Sequence, residues 1–409
     1  MHHEAKHSTW ALLALAISAF AIGTAEFISV GLLPLIADDL HISVTSAGLT
    51  VTIYALGVMF GAPILTSLTA AISRKTLLLV IMLVFTAGST LASLSTGITM
   101  LLIARVISAL AHGLFMSIGS TIAADLVPAD RRASAIATMF SGLTIATVTG
   151  VPFGTFIGQH LGWRAAFILI AAVGVLAWTA NLLLVPSALQ RGTRTAFRNQ
   201  VRLVTNGRLL LAFTITAVGY GGTFVVFTYL SPLLHDISGY SDKTTAFILL
   251  LYGVAIAIGN MIGGRAANRN PLKSLLYMFI VQTIILSVLY FTLPFKWTAL
   301  LTIMGMGLLA FMNVPGLQMV VVSLAERFAP QAKDVASAFN IASFNAGIAI
   351  GAYLGGVVND SIGLIHTTWV GALMVLIAAM LTIWAKHLEQ QVTAHSDKLD
   401  KREPNFIKV

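Results

Sequence analysis

The stretch Ala11–Ala37 reads ALLALAISAFAIGTAEFISVGLLPLIA and holds one ionisable side chain, Glu26. An apolar run of this length fits a helix that crosses a bilayer, which takes about 20 residues. Glu26 then stands well inside the hydrocarbon, where a charged side chain costs about 2.5–3.5 kcal/mol on insertion scales. A carboxylate kept in such a place takes up a proton, binds a substrate, or bonds a neighbouring helix. No other acid in the chain falls so deep inside an apolar run.

The remaining sequence repeats the apolar pattern. Of 409 residues, 57% are hydrophobic and only 10% are charged, and mean hydropathy is +0.90. A soluble domain carries about 25% charge. Twelve apolar runs are predicted as spans, near 11–37, 46–68, 76–95, 98–123, 133–158, 163–185, 209–231, 244–264, 274–293, 298–324, 335–358 and 367–385. The first run is too long for a signal peptide and reads as an uncleaved span. The fold class is therefore an all-α polytopic membrane protein with twelve transmembrane helices. With no cysteine, thiolate metal sites and disulfides are excluded.

Basic residues set the expected orientation. Loops and tails on the side of both termini hold 20 Lys and Arg, the opposite side has Arg164, Lys243 and Lys296, and Arg105 lies inside a span. The positive-inside rule then predicts both termini in the cytoplasm, in a multi-pass protein of a bacterial inner membrane. The segment 186–208 carries five Arg and no acid. Phe197, Val201 and Val204 share a helical face there, so the linker reads as a basic amphipathic helix on the anionic leaflet. Nucleic-acid binding is the competing reading of the same charge, and is not expected.

That linker separates two halves. Residues 1–185 are expected to form one six-helix bundle and 209–386 the other, with 387–409 a cytoplasmic tail. The halves repeat: Pro34, Tyr54, Gly61 and Lys75 recur as Pro232, Tyr252, Gly259 and Lys273, and Gly150 and Gly154 recur as Gly351 and Gly355. Two such repeats place a substrate site at their interface near the membrane midplane. Counted from the paired prolines, Glu26 falls opposite Phe224, so the acid belongs to one half only.

Candidate functional residues follow. By depth, Glu26 and Arg105 lie within roughly 5 Å of the same level, and two lone opposite charges there are expected to be linked. Arg105, Ser108 and His112 share one helical face, and Ser18, Ile22, Glu26 and Ser29 another; both are expected to line a cavity. Arg105 could instead brace the bundle through backbone carbonyls, and His112 could be a packing group. Tyr54, Tyr220, Tyr229, Tyr252, Asn313, Asn340 and Asn345 are candidates for a cavity suited to neutral or cationic amphiphiles. Each could equally be an interhelical bond. Gly150, Gly154 and Gly158, and Gly347, Gly351 and Gly355, form small-residue ridges for close helix packing. They also offer a smooth surface on which the halves could rock. Pro152, inside the first ridge, should bend its helix. There is no His-Glu-x-x-His, Gly-x-Ser-x-Gly or Walker sequence. No enzyme, metal or cofactor is expected.

Four of these stretches resemble motifs of the major facilitator superfamily, in its bacterial twelve-span drug:proton antiporters of the sugar-efflux and chloramphenicol-resistance kind. Gly23-Thr-Ala-Glu-Phe27 resembles that group's first-span Gly-x-x-Glu-Phe. Arg105-Val-Ile-Ser-Ala-Leu-Ala-His-Gly113 is similar to its fourth-span motif, whose arginine is implicated in proton coupling. Gly142 followed by Gly150-Val-Pro-Phe-Gly154 is similar to the antiporter motif of the fifth span, with one residue between Gly150 and Pro152. Gly264-Arg-Ala-Ala-Asn-Arg269, ending in Lys273, resembles the gating loop of the second half, with Asn268 where an acid is common, beside Arg269. The loop after span 2 departs from the pattern. It reads TSLTAAISRK over 66–75, with Ala70 where the motif has Asp, so Asp125 is expected to pair with Arg131 or Arg132 instead.

The resemblance implies a major facilitator fold of two pseudo-symmetric six-helix bundles. It further implies a proton-coupled exporter of small molecules such as drugs or sugars, of the kind that confers antibiotic resistance. Glu26, Arg105 and His112 would couple the proton, and the protein would act as a monomer in the lipid bilayer. A sugar or nucleoside importer of the same fold is the alternative. A non-transporting receptor is a third class, disfavoured by the lack of any sensory domain.

Overall fold

A computed structural model of the chain describes residues 2–69, 72–128, 132–187, 205–267, 270–328 and 333–400. These residues form helices and no strand. In the first half they are α1 (His2–Asp39), α2 (Val44–Thr69), α3 (Arg74–Ser93), α4 (Ile98–Asp125), α5 (Arg132–Ile145), α6 (Val151–Leu161) and α7 (Trp163–Leu184). In the second they are α8 (Gly207–Phe227), α9 (Asp242–Ala267), α10 (Pro271–Thr292), α11 (Lys296–Ala310), α12 (Val314–Phe328), α13 (Lys333–Ile362) and α14 (Thr367–Asp400). Among the described residues eleven helices are long and apolar enough to cross a membrane, with α11 and α12 taken as one. The pair α5 and α6, bent by 42°, makes the twelfth span.

The breaks sit where proline dictates. Pro152 has no N–H for the carbonyl of Val148, and Ala146–Gly150 is wound as a π-helix just before it. Pro315 likewise follows the turn between α11 and α12. Pro232 follows the turn that ends α8 and precedes a π-helical stretch, Leu233–Ile237. The bend expected at Pro152 is therefore present. At the other extreme, α14 runs to Asp400, well past the expected end of the last span. Residues 386–400 contain neither Pro nor Gly to stop it. The Arg-rich linker lies almost wholly outside the described residues.

Two hydrophobic cores result, one per half. The first half contributes Phe27, Val30, Val51 and Ala55 to the core of the second, and the second returns Tyr229. The glycine ridges build these cores. Gly150, Gly154 and Gly158 seat Thr24, Ile28 and Leu32 of α1, while Gly347, Gly351 and Gly355 seat Ala217, Gly221 and Val225 of α8. This corrects the expectation of a rocking surface on these ridges. Side chains larger than hydrogen would collide with the facing helix, so both ridges fasten helices within a half.

The halves meet elsewhere. Thr45 on α2 donates to Asp360 Oδ1 at 2.6 Å and to the Gly356 carbonyl at 3.2 Å, and receives a bond from Asn359 at 3.2 Å. Gln159 on α6 donates to the Asp242 carbonyl at 2.9 Å. All four bonds lie at the end of the bundle remote from the termini. At the terminal end, the bonds among described residues stay within one half. Arg74 pairs with Asp125, Lys75 donates to the Leu182 carbonyl at 2.9 Å, and Arg208 donates to the Leu388 carbonyl at 3.4 Å. Asp125 was expected to pair with Arg131 or Arg132, whose side chains lie outside the described residues; Arg74, its partner here, follows directly on Ser73, the N-cap of α3, and faces the end of α4.

Candidate functional site

From Ala21 to Leu33 every residue of α1 is buried except Glu26, which is half-buried. The Gly-Thr pair before it lets α1 lie against the fifth span: Gly23 meets Leu143, and Thr24 meets Gly150. That close packing covers the flanks of α1 and leaves the carboxylate with the one accessible surface in the stretch. Of the face expected to line a cavity, the other members are covered. Ser18 accepts a bond from Asn181 at 2.7 Å, and Ile22 and Ser29 are fully buried.

Arg105 comes to Glu26 from α4, but not as an ion pair. Its guanidinium donates to three backbone carbonyls: Thr50 at 3.2 Å, Ala25 at 2.5 Å and Glu26 itself at 3.2 Å. The fourth contact is the face of Tyr54, 3.9 Å from Cζ to ring centroid. These bonds are the bracing through backbone carbonyls that was the alternative reading of Arg105, and among the described residues the guanidinium makes no direct ion pair with the carboxylate. Carbonyl oxygens in a helix keep a second lone pair, so α1 and α2 can bind Arg105 without losing their own bonds. One buried cation thereby ties three helices together. Ser108 is turned to α3, where it meets Gly88. His112 is buried 5.7 Å from the Tyr54 ring, and its Nδ1 has no protein partner.

Next to Glu26, Phe27 enters the second half. Its ring lies 6.2 Å from Phe224, 6.3 Å from Phe227 and 5.8 Å from Phe311. Tyr220 packs on Phe224, Phe311 and Phe344 at 4.9–5.4 Å, and Tyr252 stacks on Phe227 at 5.3 Å. Offset and edge-on pairs of this kind each add about 0.5–1.5 kcal/mol beyond burial. The cluster is the mutual contact of the two halves at mid-depth. Among the described residues, the hydroxyls of Tyr54 and Tyr252 and both amide atoms of Asn313 are buried without a partner, and Tyr252 stacks directly on the cluster. Asn313 occupies the turn between α11 and α12, two residues from Phe311.

The predicted cavity residues thus divide. Tyr54 lies at Glu26 through Arg105, and Tyr220 and Tyr252 pack on the Phe rings that contact Phe27, while Asn313 sits in the turn two residues from one of them, Phe311. Tyr229 instead seals the remote end: it donates to the Ala352 carbonyl at 3.1 Å and lies against Gly48 of the first half. Asn340 is committed to a buried chain, accepting from Thr216 at 2.8 Å and donating to Gln318 at 2.7 Å. Asn345 donates to the Ile341 carbonyl of its own helix at 3.0 Å. Asn340 is thus an interhelical bond, while Asn345 uses only its amide nitrogen and its Oδ1 has no partner among the described residues. Asn268 and Arg269 lie outside the described residues. Sequence reasoning missed the Phe cluster, because a Phe turned to a partner helix and one turned to lipid read alike.

Two matched bundles of apolar helices, bonded to each other at the end remote from the termini and carrying one carboxylate at mid-depth, can be compared with known proteins. A sequence profile of the Major Facilitator Superfamily matches residues 15–329. The chain belongs to that superfamily. It is 69% identical to the uncharacterized MFS-type transporter YtbD of Bacillus subtilis, over 93% of this chain and 96% of that protein. It is 36% identical to a chloramphenicol resistance protein of Streptomyces lividans over 64% of this chain and 68% of that one. It is 32% identical to a protein of Helicobacter acinonychis named "Probable sugar efflux transporter", over 89% and 92% of the two chains. Relatives within the superfamily thus include proteins named for drug resistance and for sugar efflux. A bacterial homologue of the human lysosomal transporter Spinster, solved in an inward-facing and unoccupied conformation, shares the fold. Its TM-score is 0.69 at 16% identity, covering 93% of this chain and 97% of that one. The protein is a membrane transporter of small molecules and not an enzyme.

Proposed function

We propose that this superfamily member is a proton-coupled exporter, exchanging a small drug- or sugar-like molecule for protons across the bacterial inner membrane. The observation that carries the reading is Glu26: one acid, the sole accessible residue in an otherwise buried stretch of α1, beside Arg105 and at the contact of the two halves. The efflux names of relatives support an outward direction. The excess of basic residues on the terminal side supports cytoplasmic termini, and in this reading the bonded end is the outer one.

The arrangement suggests how a proton is coupled. With Glu26 neutral, Arg105 rests on the carbonyls of Ala25, Glu26 and Thr50 and holds α1, α2 and α4 together. Once Glu26 loses its proton, its carboxylate competes for the same guanidinium, since a charge-assisted bond is about twice as strong as one to a neutral acceptor. Arg105 then leaves the carbonyls, and the first half loosens around Phe27. Substrate enters the aromatic and amide surroundings of Glu26 in place of the proton. The halves turn about the contacts of α2 with α13 and of α6 with α9. Differential affinity for the two states carries the coupling. At 100 mV each inward proton charge supplies about 2.3 kcal/mol, roughly a fiftyfold gradient of a neutral substrate.

The test is transport in proteoliposomes under an imposed pH gradient, screened across antibiotics, sugars and nucleosides. Proton-driven movement of a compound out of the compartment facing the termini supports the reading. Downhill flux that ignores the proton gradient would replace it with a facilitator.

A further inference from the structure

A cavity of about 420 Å³ opens at the terminal end of the second half, far from Glu26. Its walls come from α8, α10, α12 and α14. Polarity runs along its axis. Arg208 on α8 and Arg327 on α12 lie at the terminal end, level with Leu272 and with Leu388, whose carbonyl accepts from Arg208; seven residues deeper on the same helices are Ile215 and Val320, with Leu211 between. Seven residues of helix make a depth of about 10 Å. The mouth is cationic in excess, with two arginines against Glu389.

The two arginines are placed as a pair. Their Cζ atoms lie 5.5 Å and 5.4 Å from the centroid of one ring, Phe328. Neither takes part in an ion pair among the described residues. Two like charges held at one aromatic ring, above an apolar shaft, match a ligand with an anionic head and a hydrocarbon tail. The volume lies within the usual range of ligand sites. The bilayer around α8 and α14 supplies such molecules at high concentration, and basic pockets between helices at this level are a recurrent phospholipid site.

We propose that this pocket binds an anionic phospholipid, its phosphate between Arg208 and Arg327 and part of one acyl chain against Leu211, Ile215 and Val320. Its four walls all belong to the second half, and the linker to the first half joins the chain just before Arg208. The bound lipid therefore braces the base of one bundle, independently of how Glu26 is used.

The experiment is native mass spectrometry of the full-length protein in nonionic detergent, titrated with dioleoyl-phosphatidylglycerol, dioleoyl-phosphatidylcholine or inorganic phosphate. Phosphatidylglycerol should bind at least tenfold more tightly than phosphatidylcholine, and weaken with salt. R208Q and R327Q should each weaken it by roughly fivefold. A212F, which fills the shaft without touching charge, should weaken it as well, and carries the test alone should the arginine variants fail to fold. Equal binding of the two lipids, or wild-type binding by A212F, would overturn the proposal. So would inorganic phosphate displacing the lipid at comparable concentration, which would make the site one for a soluble anion.

Discussion

The α1–fifth-span pair and the α8–α13 pair are built alike and equipped differently. In each, a glycine ridge accepts the facing helix at the same intervals: Thr24 and Ile28 in the first half, Gly221 and Val225 in the second. Matched through these contacts, Glu26 stands level with Thr223, one residue short of the Phe224 that the prolines indicate. The turn at Thr228–Tyr229, between the glycine contacts and Pro232, accounts for the slip. At this level the first half holds an acid with accessible surface. The second holds a fully buried hydroxyl that accepts a bond from Gln282, next to a wall of Phe rings. One scaffold thus carries the titratable group in one copy and the apolar contact surface in the other. The packing is a property of the repeat; the acid is not.

The largest break in the comparison is Glu26→Gln, which makes the first half as unable to titrate as the second. We expect accumulation against a gradient to fall from roughly fiftyfold to none, while exchange of labelled for unlabelled substrate continues. Proteoliposome flux with and without a pH gradient measures both. Undiminished uphill transport by this variant would remove Glu26 from the coupling mechanism.

Arg105→Ala comes next. It deletes charge-assisted bonds to three carbonyls, each contributing about 1.5–3 kcal/mol, and should uncouple proton flow from substrate flow while lowering the rate by about a hundredfold. Arg105→Lys restores the charge but not the planar fork that spans three acceptors, so it should regain only part of the coupling. Full coupling in the Lys variant would show that charge alone is used, and that the carbonyl bracing is dispensable.

Much of this was legible in the sequence, for reasons that differ by residue. The spans, the halves and the depth of Glu26 follow from hydropathy, because a bilayer imposes length and polarity on every helix. The bend at Pro152 follows from a missing N–H. Arg105 was legible as a partner of α1, with the carboxylate and the backbone carbonyls both open as its acceptor. Charge pattern reports nothing of main-chain oxygens, which every residue carries. The glycine ridges were legible as close contacts and misassigned in partner, since spacing along one helix does not name the helix it faces. Tyr229 and Asn340 failed for the same reason. A polar residue in a span reads alike whether it faces a cavity, a seam or a neighbour.

The third test probes the shared scaffold. Gly154→Val and Gly355→Val introduce methyl groups against Ile28 and against the Val225 carbonyl, which an added Cβ on Gly355 approaches to 2.7 Å. Overpacking of this sort costs about 1–3 kcal/mol. Both variants should lower the melting temperature in detergent, Gly355→Val the more because the Val225 carbonyl cannot move aside as the tip of Ile28 can, and both should leave the proton dependence of any remaining transport unchanged. A loss of coupling confined to Gly154→Val would tie the ridge to Glu26 rather than to packing alone.

The smallest effect belongs to the position level with Glu26. Thr223→Val removes the acceptor of the Gln282 amide, which is fully buried and finds no water to replace it. An orphaned buried donor costs about 1–3 kcal/mol, whereas removing both partners is close to neutral. Thr223→Val should therefore destabilise the protein, and Thr223→Val with Gln282→Leu should restore most of the melting temperature. Neither should alter the pH dependence of transport. This double-mutant cycle separates a polar pair that serves folding from a polar pair that serves function. The same cycle run on Glu26 and Arg105 should show the opposite pattern: no rescue of coupling by Glu26→Gln with Arg105→Leu, because removing both groups also removes the proton carrier.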